Sequence, residues 1–234
     1  MLQTPPASPT ARFAGCPLLA FALLLGGCLP YSVGQTAETA PRNALVVSQS
    51  AQFVPIDPFA EECEDCESGG GSGGGYVSLD AEARVGLTDR SDVGVRFVGG
   101  AGFGVTYKNR LTAPGGPAEV AVSGGGGVIH VGDHAYGEAT VLVSGPPRAP
   151  LVPYGGLRGF ATVPVRPGAV RDGPTVGGFA GVRVGTTAAG VSAEIGVFRD
   201  PSALGLRERD VIVVPSVTVH GRGLFGGGPF WARR

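Results

Sequence analysis

Cys63 and Cys66 form a C-x-x-C pair, a spacing that can close a disulfide, offer two thiolates to zinc or shuttle electrons. One such pair supplies only part of a tetrahedral zinc shell. The flanking Glu61, Glu62, Glu64, Asp65 and Glu67 disfavour the thiolate that a redox nucleophile requires. In an oxidising compartment a local disulfide is the plainer reading. The same carboxylates could attract a divalent cation, but the segment lacks the positioned Gly and terminal Glu of a calcium loop, and solvated acidity accounts for them better. Gly70-Gly71-Ser72-Gly73-Gly74 spells G-x-S-x-G inside a glycine run, with no helix pattern after it, so a nucleophile elbow is not indicated. Gly99-Gly100-Ala101-Gly102-Phe103-Gly104 has the glycine density of a phosphate loop without the Lys-Ser/Thr or the strand-to-helix switch that such a loop needs. His130 and His134 flank Val131-Gly132-Asp133, a hairpin tip that could bring two imidazoles together, yet no third ligand is evident in the sequence. The expectation is a protein without catalytic residues, metal or cofactor.

The elements that would carry these residues are set by composition. Gly numbers 42 and Pro 20 in 234 residues, which makes helices expensive and favours strands and turns. Charged residues make up 16% and the mean hydropathy is +0.20, yet the mature chain contains no apolar run long enough for a membrane helix. The net charge of −1 argues against a nucleic-acid partner, which would demand clustered Lys and Arg.

A polar segment reaches Arg12, an apolar stretch runs from Phe13 to Leu25, and Gly26-Gly27-Cys28 follows. That order of regions describes a secretory signal peptide over residues 1–27, which would remove Cys16 with it. Leu25-Gly26-Gly27-Cys28 resembles the bacterial lipobox, which implies cleavage before an acylated Cys28; ordinary cleavage beside a passive Cys28 is the alternative. Leu29 in the next position resembles an outer-membrane sorting signal. Acyl chains, at about 0.8 kcal/mol per buried methylene, would anchor the protein without any other contact to lipid.

Residues 28–43, rich in Pro and Thr and without periodicity, read as a lipidated tether, and residues 44–234 as one barrel domain interrupted by an acidic, Gly-rich loop at about 56–75. A first strand is expected from Ala44 to Pro55. From Tyr76 onward the chain alternates with period two: Val77, Leu79, Ala81, Ala83 and Val85 oppose Ser78, Asp80, Glu82 and Arg84. Turn residues Thr88-Asp89-Arg90-Ser91 separate this strand from a second, in which Val93, Val95 and Phe97 oppose Asp92, Gly94 and Arg96. Repetition of the pattern to the C-terminus, with Gly- and Pro-rich turns between strands, gives about ten strands. The expected fold is all-β, an antiparallel up-and-down meander closed into a barrel of about 8–10 strands, since closure removes exposed strand edges.

The polar face carries Asp80, Glu82, Glu119, Glu138 and Glu194 with Arg84, Arg96, Lys108, Arg158, Arg183 and Arg222. In a lipid-inserted barrel these charges would pair inside a lumen that side chains nearly fill at this strand number, giving a plugged barrel or a very narrow pore. In a soluble barrel the arrangement would be inverse, with Val and Ala inside. Period two alone does not separate them.

The segment Leu87-Thr88-Asp89-Arg90-Ser91-Asp92-Val93-Gly94-Val95-Arg96 resembles the T-D-R hairpin that recurs in small outer-membrane β-barrels of Gram-negative bacteria, with Ser91 where an apolar residue is usual. With the lipobox upstream, the chain resembles the poorly characterised barrel-bearing outer-membrane lipoproteins, although Phe230-Trp231 is followed by Ala232-Arg233-Arg234 rather than ending the chain. The resemblance implies a non-enzymatic barrel in the outer membrane that touches lipid through acylated Cys28 and its outer surface. Its role would be structural, surface presentation or binding. A narrow channel for small solutes and a soluble, lipid-tethered β-domain that binds an envelope partner are the alternatives.

Overall fold

The computed structural model describes residues 30–55, 75–99, 102–113, 116–147, 149–167, 173–186, 189–199 and 211–221. Ten strands follow one another: β1 (Leu45–Pro55), β2 (Gly75–Gly86), β3 (Ser91–Val98), β4 (Gly102–Arg110), β5 (Glu119–Ile129), β6 (His134–Ser144), β7 (Leu151–Pro164), β8 (Thr175–Thr186), β9 (Ala189–Arg199) and β10 (Val211–Gly221). Each pairs antiparallel with its predecessor, and β10 pairs back onto β1 from Val47↔Gly221 to Gln52↔Ser216, which closes the barrel. The meander expected from the alternation is therefore present, with no strand edge left open among the ten.

Two rims result. At the terminal rim β1 begins and β10 ends, and the connections are residues 87–90, 111–118, 145–150 and 187–188. At the far rim the connections are residues 56–74, 99–101, 130–133, 165–174 and 200–210. Three far-rim connections, 56–74, 165–174 and 200–210, are longer than any at the terminal rim.

Alternation decides which side chains go where. Ser78, Asp80, Glu82 and Arg84 of β2 are buried, while Val77, Leu79 and Val85 between them are exposed. The same inversion runs round the barrel: Leu157 of β7 is 68% exposed beside buried Arg158, and Ile195 of β9 is 57% exposed beside buried Glu194. The interior is thus polar and charged, and the exterior apolar, the opposite of a soluble β-barrel.

Residues 30–40 do not lie outside the barrel as a tether would. They run down the lumen: Tyr31, Ser32, Val33, Thr36, Ala37, Thr39 and Ala40 are all buried. The sequence reading of a tether is corrected here, and the physical cause is plain. The segment is short of charge and composed largely of small residues, so it fits between inward side chains, and those side chains supply the hydrogen bonds that an extended backbone would otherwise find in water. The chain then reverses at the terminal rim, where Ala44 N–H donates to Pro41 O at 2.9 Å and Asn43 adopts a left-handed conformation, and rises again as β1.

Candidate functional site

The lumen is built in layers by the strands around it. Nearest the far rim, Tyr31 packs with Val54, Phe160, Phe198, Ile212 and Val214 in an apolar cap. Its ring meets Phe160 edge-on at 5.6 Å between centroids and Phe198 at 5.4 Å, spacings at which aromatic pairs add attraction beyond their buried area.

Below the cap the segment is held by its backbone. Ser32 N–H donates to Gln52 Oε1 at 2.6 Å, and Arg158 Nη1 donates to Ser32 O at 2.8 Å, with Arg96 Nη2 on the same oxygen at 3.4 Å. Glu194 accepts from two successive backbone groups, Val33 N–H and Gly34 N–H, each at 2.9 Å. Gly34 is required at this point: its φ is +58°, and a Cβ there would sit 2.1 Å from Thr218 Oγ1. Lower still, Lys108 Nζ donates to Glu38 O at 2.7 Å, Gln35 Oε1 at 3.1 Å and Thr36 O at 3.3 Å. Arg183 Nη1 reaches Thr36 Oγ1 at 2.9 Å and Glu38 Oε2 at 3.0 Å. At the terminal rim Ala40 N–H donates to Asp92 Oδ2 at 2.7 Å. Gly86 lets the segment cross β2 there, since a Cβ would lie 2.2 Å from Pro41 O.

Around this segment the inward charges pair with one another. Glu82 accepts from Arg84 Nη1 at 2.6 Å, from Thr106 Oγ1 at 3.0 Å and from the Gln35 side-chain amide, with Arg96 at 3.8 Å. Asp92 accepts from Arg84 through Nε at 2.9 Å and also through Nη2, and has Lys108 at 3.8 Å. Glu138 pairs with Arg158 and lies 3.7 Å from Arg96. Arg110 and Glu119 form a separate pair at 2.9 Å near the terminal rim. Asp80 accepts from Gly99 N–H at 3.0 Å, nearer the far rim. A cavity of about 20 Å³ lies beside Lys108, Arg183 and His220, room for about one water molecule.

Of the residues expected to form a lumen network, Asp80, Glu82, Arg84, Arg96, Lys108, Glu119, Glu138, Arg158, Arg183 and Glu194 all face inward, but they do not form one network. Glu82, Arg84, Asp92, Arg96, Lys108, Glu138 and Arg158 are linked, whereas Glu194 and Arg183 bond to the threaded segment, Arg183 donating also to Pro147 O at 3.4 Å. Arg222, Cys28, Cys63 and Cys66 lie outside the described residues. Asp92 and Arg110 belong to the site although the charge pattern did not single them out. Both stand in the polar register of their strands, two residues from Gly94 and Lys108, and that register was the available signal. Gln35 and Glu38 were missed with the segment that carries them.

His130 and His134 do meet at the far rim, with Nδ1 atoms 3.2 Å apart and rings edge-on. Among the described residues no group of three or more His, Cys, Asp or Glu is arranged to hold a metal ion.

No protein-family model matches the sequence, and no curated protein matches it. Two solved structures to which the chain is similar are Neisserial surface protein A (NspA), at 14% identity over 76% of this chain and 96% of that one with a TM-score of 0.35, and the outer membrane protein OprG from Pseudomonas aeruginosa, at 11% identity over 82% of this chain and 100% of that one with a TM-score of 0.30.

Proposed function

We propose that this protein is a β-barrel inserted in the outer membrane, anchored in addition by acyl chains on Cys28 and closed by its own N-terminal segment. Its role on this reading is structural, or the presentation and binding surface of its far-rim connections, without turnover. The observation that carries the reading is the inversion of the two faces. Val, Leu, Ile and Phe side chains stand exposed on every side of the barrel, including Phe53, Phe97, Leu157, Ile195 and Val217, while the charges are buried. In water such a surface would be a continuous apolar patch far larger than a soluble monomer tolerates. In lipid it is the expected outer band, and the paired charges fill the lumen. Strands of nine to fourteen residues among those crossing the barrel are long enough for a tilted passage of the hydrocarbon core.

The threaded segment favours a closed barrel over a standing channel. Its backbone is bonded to lumen side chains along its length. The test is electrophoretic mobility of the protein from outer-membrane fractions, unheated and boiled in detergent, followed by planar-bilayer recording. A heat-dependent shift with no steady conductance is expected. A steady conductance in the unmodified protein would replace the closed barrel by the channel. Absence of the shift, with release from membranes after Cys28→Ser, would instead support a soluble β-domain on a lipid tether.

A further inference from the structure

The threaded segment has a direction. Tyr31 lies among the far-rim ends of the strands, against Val54 near the end of β1, Phe198 near the end of β9 and Ile212 near the start of β10. Val33 and Gly34 lie at the level of Glu194 in the middle of β9, and Gly34 beside Thr218, three residues from the terminal-rim end of β10. Thr36 and Glu38 lie at the level of Lys108 and Arg183, and Ala40 at that of Asp92, beside the terminal rim. The order of these contacts along the chain never reverses. Residues 31–40 therefore run from the far-rim end of the barrel to its terminal rim, with a left-handed turn of the backbone at Gly34 on the way. Tyr31, near the N-terminal end of the described residues, therefore lies at the rim opposite the one at which β1 begins.

Barrels of this kind keep short turns at the periplasmic rim and carry longer loops outside, and here the longer connections are all at the far rim. Resting on the membrane reading above, we propose that the barrel carries its own N-terminal end across the outer membrane, so that acylated Cys28, two residues before Pro30, anchors in the outer leaflet at the cell surface. The lipid and the ends of the β-meander would then lie on opposite faces of the bilayer. The lumen side chains suit this task because they grip backbone atoms at Ser32, Val33, Gly34, Thr36 and Glu38, which any extended chain offers.

The test uses the full-length protein with one short epitope inserted in each of three variants: between Leu29 and Pro30, after Val131 at the far-rim tip, and after Pro117 at the terminal rim. Each variant is first checked for the heat-dependent shift of the folded barrel. Antibody on intact cells is expected to bind the first two and to lose the third, which appears only after permeabilisation. An epitope before Pro30 that follows the Pro117 epitope overturns the proposal and leaves the inserted barrel standing. Equal binding of all three on intact cells removes the membrane reading and the proposal with it. Threading itself is read separately from a disulfide between Ala37→Cys and Ser144→Cys, with Cys63 and Cys66 replaced by Ser, because Ala37 N–H lies 3.3 Å from Ser144 Oγ. Formation of that bond in the folded protein supports the threaded path, and its absence overturns it.

Discussion

The two faces of one strand differ more in this protein than its two ends do. On β9, Ser192, Glu194 and Phe198 are buried while Val191, Ile195 and Val197 are exposed, so neighbouring residues meet opposite environments a few ångströms apart. The outer face has cross-strand neighbours, such as the edge-on pair Phe97–Phe103 at 5.7 Å, but otherwise depends on what surrounds the barrel. The inner face depends on partners at fixed distances, many of them on a segment far away in sequence. On the proposed membrane reading a charge is costly on the outer face because lipid would not solvate it, and removing a charge is costly on the inner face because its partner is left buried alone.

The largest effect is expected inside. Asp92→Ala takes the carboxylate from Arg84 and Lys108 together and frees the Ala40 N–H. Removing one member of a buried, hydrogen-bonded ion pair costs about 3–5 kcal/mol, to be read as a lower urea midpoint of the folded barrel. A cost below about 1 kcal/mol, the value typical of solvent-exposed pairs, would show that water reaches these cations and would weaken the contrast between the faces. On the outside, Ile195→Arg introduces a charge at a central position of β9. In lipid vesicles this is expected to cost about 2–4 kcal/mol, measured as the shift in urea unfolding against the unchanged protein. A negligible shift would mean that this face sits in water.

A third substitution sharpens the inner side of the comparison by separating the barrel wall from what fills it. Gly34→Ala places a methyl group against Thr218 at a left-handed backbone position. Overpacking of this kind costs about 1–3 kcal/mol. The strain is relieved if the segment withdraws, so increased proteolysis within residues 30–40 is expected while the heat-dependent shift of the barrel persists. Loss of both together would show that wall and segment fold as one unit.

The wall was legible in the sequence and the segment was not, for a physical reason. Alternation such as Val77, Leu79 and Val85 against Ser78, Asp80 and Arg84 is dictated by the pleat, and it survives in the chain whatever lies on either side. It gave the strands and the inward charges while leaving open which face met water. Residues 30–40 form no ladder with any strand, so no period marks them. Their place is set by long-range bonds from Gln52, Glu194, Lys108 and Asp92, none of which local pattern reveals. Asp92 itself stood in the visible polar register, but its importance depends on Ala40, which the sequence assigned to a tether.

The smallest effect is expected where the comparison should vanish, at the far rim. Arg166 pairs with Asp133 at 3.4 Å, with the two side chains 73% and 39% exposed, whereas the Arg158–Glu138 pair is sealed in the lumen. The chemistry of the two pairs is the same and only the surroundings differ. Water and salt screen the rim pair, and such exposed pairs contribute about 0–1 kcal/mol. Arg166→Ala is accordingly expected to leave the urea midpoint almost unchanged, and to leave it equally unchanged as the salt concentration is raised. A loss approaching that of Asp92→Ala would mean that the far-rim connections close over Asp133 and extend the sealed interior to the rim, so that burial, not position on the strand, sets the boundary between the two regions.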